Sequence, residues 1–366
     1  MSADNGWSRR NFLSARGLGA ALGGAAGSLI PDPPRALTRQ EQNLSTLAFA
    51  RRAMGCEFGI RIPYYYPNAM AAADVALSEI EQLEELLTVY SDTSEMSHVN
   101  RNAFPGPVRV DNRLFEVVRR SAELHAQTDG AFDIAAGALV KTWGFLRGPR
   151  RVPGEGERQA ALARSGMRHV ELNSDNLTLR FRVQGVEINL GSVGKGYAID
   201  RAIQRLRDDF RIQCALMIGG QSSIYGAGSP SGDGRGWLVS IQNPFNSSQP
   251  AATLRLKDQA LGTSGTANQF FEEHGRRYGH LLDPRTGFPA DLLASASAVA
   301  PDAATADALA TAFFVMGLDK TKAFCQNHPE IGALLVIKPQ DPAWKAAVPQ
   351  VVTFNVPTED LTVGQS

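Results

Sequence analysis

The order in which helical and strand periodicities follow one another constrains this chain more than any other feature. Apolar residues recur at helical spacing over residues 69–89 (Val75, Leu77, Ile80, Leu83, Leu86, Leu87) and over 111–128 (Leu114, Val117, Val118, Leu124). Two alternating segments, 169–172 and 177–181, flank Asn173-Ser174-Asp175-Asn176, which is a hairpin signal. An amphipathic helix over 197–210 leads into a buried strand over 215–218 that ends in Gly219-Gly220. Further strands are expected at 237–242, 253–256, 295–300 and 333–337, with helices at 305–316 and 321–326. Residues 49–62 read as one strand interrupted at Met54-Gly55. Helices and strands therefore do not alternate as strict βαβ units, which points to an α+β fold rather than a doubly wound sheet. The expectation is a mixed sheet packed with helices, in one large catalytic unit with room for two closely packed subdomains. The glycine-rich stretch 226–236 reads as a loop within it, not as a linker.

The N-terminus carries a different signal. Ser8-Arg9-Arg10-Asn11-Phe12-Leu13 precedes a weakly apolar, Gly/Ala-rich run over 17–30. Paired arginines, then Phe-Leu, then a modest apolar run fit a twin-arginine (Tat) export signal. The run falls short of the ~20 residues of a membrane span. The expected division is a signal and linker over 1–40, a catalytic domain over 41–350 and a C-terminal tail over 351–366. The expected location is the periplasm, with attachment to the inner membrane if the signal stays uncut. Lysine plus arginine (37) balances aspartate plus glutamate (37), so nothing in the charge suggests a nucleic-acid partner. Cys56, Cys214 and Cys325 form no CxxC pair and read as small buried hydrophobes.

Three segments could carry chemistry. Asn189-Leu190-Gly191-Ser192-Val193-Gly194-Lys195-Gly196-Tyr197 lies between a strand and a helix, where glycines let the backbone approach a ligand and a helix start favours an anion. It lacks P-loop spacing, so structural turn and phosphate cradle both stay open. Gly279-His280-Leu281-Leu282-Asp283-Pro284-Arg285-Thr286-Gly287 offers a proton acceptor in His280 and a carboxylate in Asp283, beside a turn. Nearby, Gly262-Thr263-Ser264-Gly265-Thr266 offers hydroxyls without nucleophile-elbow spacing. In the third segment, 301–311, Asp307 and Thr311 lie four apart on one helical face as two hard oxygen donors, a pair that suits Mg2+. Asp302 or Thr305 could equally be a helix cap there, with Asp307 merely solvated.

Taken together, these segments resemble the ApbE-type FAD:protein FMN transferases. The resemblance runs from about Met54 to Gly317 on Arg52-Ala53-Met54-Gly55, Tyr90-Ser91-Asp92-Thr93-Ser94-Glu95-Met96-Ser97, Thr128-Asp129-Gly130-Ala131-Phe132-Asp133 with Trp143-Gly144-Phe145, the 189–200 turn, the 280–287 segment and 300–311. It implies that Met54, Tyr90, Ala131, Phe132, Asp133, Asn189, Lys195 and Leu282 line the FAD site, with Tyr90 and Phe132 as candidate walls for the isoalloxazine ring. It also implies that the Ser192 carbonyl, Asp307 and Thr311 hold Mg2+ against the pyrophosphate, and that His280 and Asp283 lie near the reacting phosphate. The family usually has Asp where this chain has Asn189, so one negative charge is missing from the turn.

The implied reaction is attack of a partner's threonine hydroxyl on the FMN-side phosphorus of FAD, with AMP leaving. A divalent cation and nearby cationic groups stabilise the phosphoryl charge. His280 is the favoured general base and Asp283 its rival. The implied partners are FAD and electron-transfer proteins bearing a threonine motif, such as those of sodium-pumping quinone reductase, the Rnf complex or a nitrous-oxide-reduction regulator. Two other readings are a magnesium-dependent FAD pyrophosphatase, in which water replaces the threonine, and a periplasmic flavin-binding protein without turnover.

Overall fold

The structure, a computed structural model, describes residues 45–231, 234–266, 269–339 and 349–363, so the expected export signal lies outside the described residues. The first strands, β1 (Thr46–Ala53) and β2 (Cys56–Pro63), form an antiparallel hairpin in which Ala53 pairs with Cys56. What reads as one interrupted strand over 49–62 is thus two. Met54 (φ 49°) and Gly55 (φ 73°) make the two-residue loop, both with positive φ as a type I′ turn requires. Helices α1 (Ala69–Leu87) and α2 (Glu95–Asn102), the short β3 (Val108–Arg109), and α3 (Asn112–Gln127), α4 (Gly137–Thr142) and α5 (Glu155–Ala163) follow. Next come β4 (Val170–Asn173), β5 (Thr178–Phe181) and α6 (Gly194–Phe210). The chain continues through β6 (Ala215–Gly219), β7 (Ser223–Ala227), β8 (Trp237–Gln242), β9 (Pro250–Leu256) and β10 (Gln259–Gly265). It then forms the hairpin of β11 (Phe270–Glu273) and β12 (Arg276–Gly279), followed by β13 (Leu293–Ala300) and α7 (Ala303–Asn327). The last strands are β14 (Gly332–Ile337), β15 (Val351–Phe354) and β16 (Leu361–Val363).

Eight strands form the central sheet in the order β1-β2-β6-β7-β10-β13-β14-β15, every neighbouring pair antiparallel. Helices α1, α6 and α7 cover one face, burying Ala72, Ala76, Ile80, Leu83, Ile199, Ala202, Leu206, Leu309 and Phe313 against Phe58, Ile60, Met217 and Ala298. The opposite face packs Leu216, Leu261, Val299 and Leu334 onto Trp237, Val239, Leu254 and Leu256 of a three-stranded sheet, order β16-β9-β8. Strand β8 alternates buried and exposed residues throughout, as a half-buried strand should. The result is helices, sheet and sheet, in three layers around continuous apolar surface. Truncating a residue such as Ile80, which is 0% exposed, would cost about 2–5 kcal/mol.

Two sequence expectations change. Residues 351–366, read as a tail, contribute two strands: β15 covers β14, which would otherwise expose a wholly apolar edge, and β16 extends the small sheet. The expected helices at 305–316 and 321–326 are one element, α7, bent where Gly317 takes φ 72°. The described residues fall within one compact unit spanning 39–366. Among them no helix is long and apolar enough to cross a membrane.

Candidate active site

The site is built where the first turns of α6 and α7 cross over the end of β10. Two glycines permit that approach. A Cβ on Gly196 would run into the carbonyl of Ala303, and one on Gly262 into the Ala306 carbonyl and the Asp307 amide. Asp200 of α6 then clamps the start of α7, accepting from the Ala303 and Ala304 N–H groups at 2.7 and 2.9 Å. Asp302 is the cap of α7, accepting from Thr305 N–H at 2.8 Å, and pairs with Arg120. Burial, with the neighbouring Asp302 charge, pushes the Asp200 carboxyl up.

These contacts fix Asp307, whose side chain is buried rather than solvated. Its Oδ2 accepts from Gly196 N–H and from the Ser223 hydroxyl, each at 2.8 Å. Its Oδ1 has no donor among the described residues. Burial pushes the carboxyl up to about 6, while Lys195, Ser223 and the Gly196 amide pull it down. Thr311 lies one turn further along α7, with its hydroxyl 3.0 Å from Ser264 Oγ on β10. Ser192 sits on the turn that leads into α6. Lys195, in the first turn of α6, is half-buried and has no carboxylate partner among the described residues. Its charge is felt by Asp307, His280 and Cys56, which places all four in one neighbourhood.

A half-satisfied buried carboxylate, a hydroxyl four residues on and a turn carbonyl make an all-oxygen set that fits Mg2+. Among the described residues no group of three or more His, Cys, Asp or Glu could hold a metal. A cation bound by Asp307 and Thr311 would therefore complete its shell with phosphate and water oxygens, which is the habit of Mg2+.

His280 follows β12 directly. Its N–H and its Nδ1 both reach the Gln269 carbonyl, at 3.2 and 3.1 Å. A carbonyl oxygen only accepts, so Nδ1 carries the proton and the neutral ring presents a bare lone pair at Nε2. Burial lowers the His280 pKa, and the Arg150 and Lys195 charges add to that, so the ring is neutral at pH 7. Asp283 plays a different part: its Oδ1 accepts from the Arg285 amide and Nε (3.0 and 2.8 Å) and its Oδ2 from Nη2 (2.8 Å). With both oxygens engaged, Asp283 fixes the 283–287 turn and does not compete with His280 as a base.

The remaining expected site residues divide between support and surface. Ala131 and Phe132 are each 1% exposed, so Phe132 is core and offers no ring face to a flavin. Asp133 is spent on the Ala135 and Met167 amides and on His125, holding the loop from within. Leu282 is buried beside Leu139 and Trp143, and its backbone bridges to Pro289. Tyr90 is 68% exposed and is the available aromatic wall. Met54 stands at the hairpin loop, partly buried against the core. Asn189 Oδ1 accepts from Gly191 N–H at 2.9 Å, closing its own turn. Asn and Asp share that acceptor oxygen, so the substitution keeps the turn and removes only the charge.

Sequence reasoning missed Ser223, an isolated serine with no local pattern around it, and the scaffold of the 283–288 loop. Trp143 Nε1 donates to the Gly287 carbonyl at 2.9 Å, while Arg158 donates to the Thr286 carbonyl and stacks on Phe288 at 4.1 Å. All three cysteines are free; Cys214 and Cys325 are buried and Cys56 is half-buried.

Comparison with known proteins gives a consistent picture. The ApbE family profile matches residues 54–335. A FAD:protein FMN transferase of Treponema pallidum is 33% identical over 294 residues, covering 75% of this chain and 81% of that protein. One from Klebsiella pneumoniae is 30% identical over 278 residues, covering 75% and 85%. Among solved structures, the ApbE protein of Thermotoga maritima superposes with a TM-score of 0.73 at 28% identity, covering 80% of this chain and 94% of its own. The flavin transferase ApbE of Vibrio cholerae gives 0.73 at 25% identity, covering 85% and 97%.

Proposed function

The chain belongs to the ApbE family, and we propose that it moves FMN from FAD onto a threonine hydroxyl of a partner protein in a Mg2+-dependent reaction that releases AMP. Flavin transfer to protein is the activity for which its relatives are named. The observation that carries the finer reading is Asp307, held at one oxygen by Gly196 and Ser223 and free at the other, beside Thr311 and the unpaired Lys195.

The residues divide the work as follows. Lys195 and the glycine turn before α6 receive the pyrophosphate. Mg2+ bound by Asp307, Thr311 and the Ser192 carbonyl would supply charge neutralisation for the phosphoryl oxygens. His280 Nε2 accepts the threonine proton as its Oγ bonds to the FMN-side phosphorus. The bond from that phosphorus to the bridging oxygen breaks, and AMP departs with the oxygen. Tyr90 gives the isoalloxazine a flat apolar surface. The expected acceptors are threonine-bearing electron-transfer proteins, and the expected compartment is the periplasm. That last inference rests on the twin-arginine segment alone.

The test is to incubate the purified protein with FAD and Mg2+, with and without a threonine-bearing acceptor peptide, and to weigh the products. A peptide heavier by one FMN, with AMP released and both abolished by EDTA, is expected. Free FMN and AMP beside unmodified peptide would instead identify a pyrophosphatase, and intact FAD a binder.

A further inference from the structure

The connection between α4 and α5, residues 143–154, has two sides. One faces the site: the Phe145 ring lies edge-on to His280 at 6.3 Å, Arg150 donates to the Phe270 carbonyl at 2.9 Å, and Arg147 Nη2 reaches the Val89 and Tyr90 carbonyls at 3.2 and 3.4 Å. The other side, with the facing surfaces of α4 and α5, walls a cleft of about 380 Å3. Lys141, Arg147, Arg151 and Arg164 line it against a single carboxylate, Glu157. Two of the four cations are neutralised nearby, Arg151 by Glu157 and Lys141 by Glu187, each at 2.7 Å. Arg164 is exposed and its Nε donates only to the Ala160 carbonyl at 3.2 Å, while Arg147 stands 3.7 Å from the well-exposed Asp92. A chain with balanced overall charge thus gathers two uncommitted guanidiniums in one cleft beside the catalytic histidine.

We propose that this cleft recognises the acceptor, binding carboxylate side chains that flank the threonine to be modified. The proposal rests on the transferase reading. An acceptor segment whose hydroxyl reaches His280 must run past the 143–154 connection, because Phe145 and Arg150 border that histidine. Its neighbouring residues then meet the cleft one chain-width away. Guanidiniums prefer carboxylates there, through paired planar hydrogen bonds.

The experiment compares two acceptor peptides that differ only in having two aspartates or two asparagines flanking the threonine, with native protein and with Arg164→Glu. The native protein is expected to show a KM at least fivefold lower for the acidic peptide at low salt, with equal kcat, and to lose the preference by about 0.5 M salt. Arg164→Glu should raise the acidic peptide's KM about tenfold, leaving its kcat, the neutral peptide's KM and FAD affinity unchanged. Arg164→Lys should recover part of the preference. Because charge reversal at a helix C-terminus can weaken the helix, Arg164→Gln serves as a milder variant, expected to lose severalfold. Equal KM values for the two peptides, or an acidic preference that survives both Arg164→Glu and Arg164→Gln, would overturn the proposal. If native protein modifies neither peptide, the transferase reading falls. Fluorescence anisotropy of the same labelled peptides still decides the cleft, since Arg164-dependent binding of the acidic one alone supports it and its absence refutes it.

Discussion

Replacing Asp307 by Asn in the metal-free protein should stabilise it. Burial holds the Asp307 carboxyl at about 6, against about 3.9 in an unfolded chain. Between these values the unfolded chain sheds its proton while the folded chain retains it, so folding loses stability as pH rises, and the loss is complete above pH 6. Two units at about 1.36 kcal/mol each amount to about 3 kcal/mol. Asparagine keeps an oxygen to accept from Gly196 N–H and Ser223 Oγ but carries no charge to desolvate. For a unit spanning residues 39–366, an unfolding entropy of about 2.1 cal/mol/K per residue converts this to a Tm rise of about 4 °C. The assay is calorimetry in EDTA at pH 8 and pH 4.5, native protein against variant. The variant is expected to melt higher at pH 8, with most of the difference gone at pH 4.5. Saturating Mg2+ should reverse the order, raising the native Tm only. A variant that melts no higher than native at pH 8 without metal, or an offset unchanged at pH 4.5, would refute the reasoning.

Three other outcomes follow from the same contacts. Gly196→Ala drives a Cβ into the Ala303 carbonyl, so a loss of about 1–3 kcal/mol in denaturant unfolding is expected, with weaker Mg2+ binding by calorimetry as the Gly196–Asp307 bond is pulled apart. His280→Ala should cut transfer by about 10²–10⁴-fold while FAD binding by fluorescence quenching is kept. In the native protein kcat/KM should rise with pH through a value below 6.5 and level off, since His280 is active when neutral and its pKa is lowered; the alanine variant should lack that limb. Asn189→Asp should change unfolding free energy by no more than about 0.5 kcal/mol, because the oxygen that accepts from Gly191 N–H stays; a larger fall in urea melts would show that the amide itself is needed.

Where period and burial agreed, the fold could be read in advance. Strand β8 and helices α1 and α3 lie within two residues of their expected bounds, because each has one wet face and one dry face. Strands β7 and β10 could not be read: most of their residues are buried, and Gly226, Gly262 and Gly265 remove the alternation that marks a strand. The hairpin at Met54-Gly55 was hidden because apolar residues continue on both sides of the loop. In the site, Asp307 and Thr311 were legible from their spacing, and the structure adds why Asp307 is potent, which is burial that no local pattern reveals. Phe132 was misread because an aromatic beside an acidic residue looks the same whether it faces a ligand or the core. Ser223 lies 84 residues from Asp307 in sequence, so only the paired sheet brings them together.

The central claim is that Asp307 and Thr311 hold a cation against the FAD pyrophosphate beside a neutral His280. A crystal structure of the protein with FAD and Mg2+ tests it most directly. The account predicts Mg2+ about 2.0–2.1 Å from Asp307 Oδ1, Thr311 Oγ1 and the Ser192 carbonyl, with phosphate oxygens completing the octahedron and Lys195 on the same pyrophosphate. A cation bound elsewhere, or FAD seated away from α6 and α7, would contradict it.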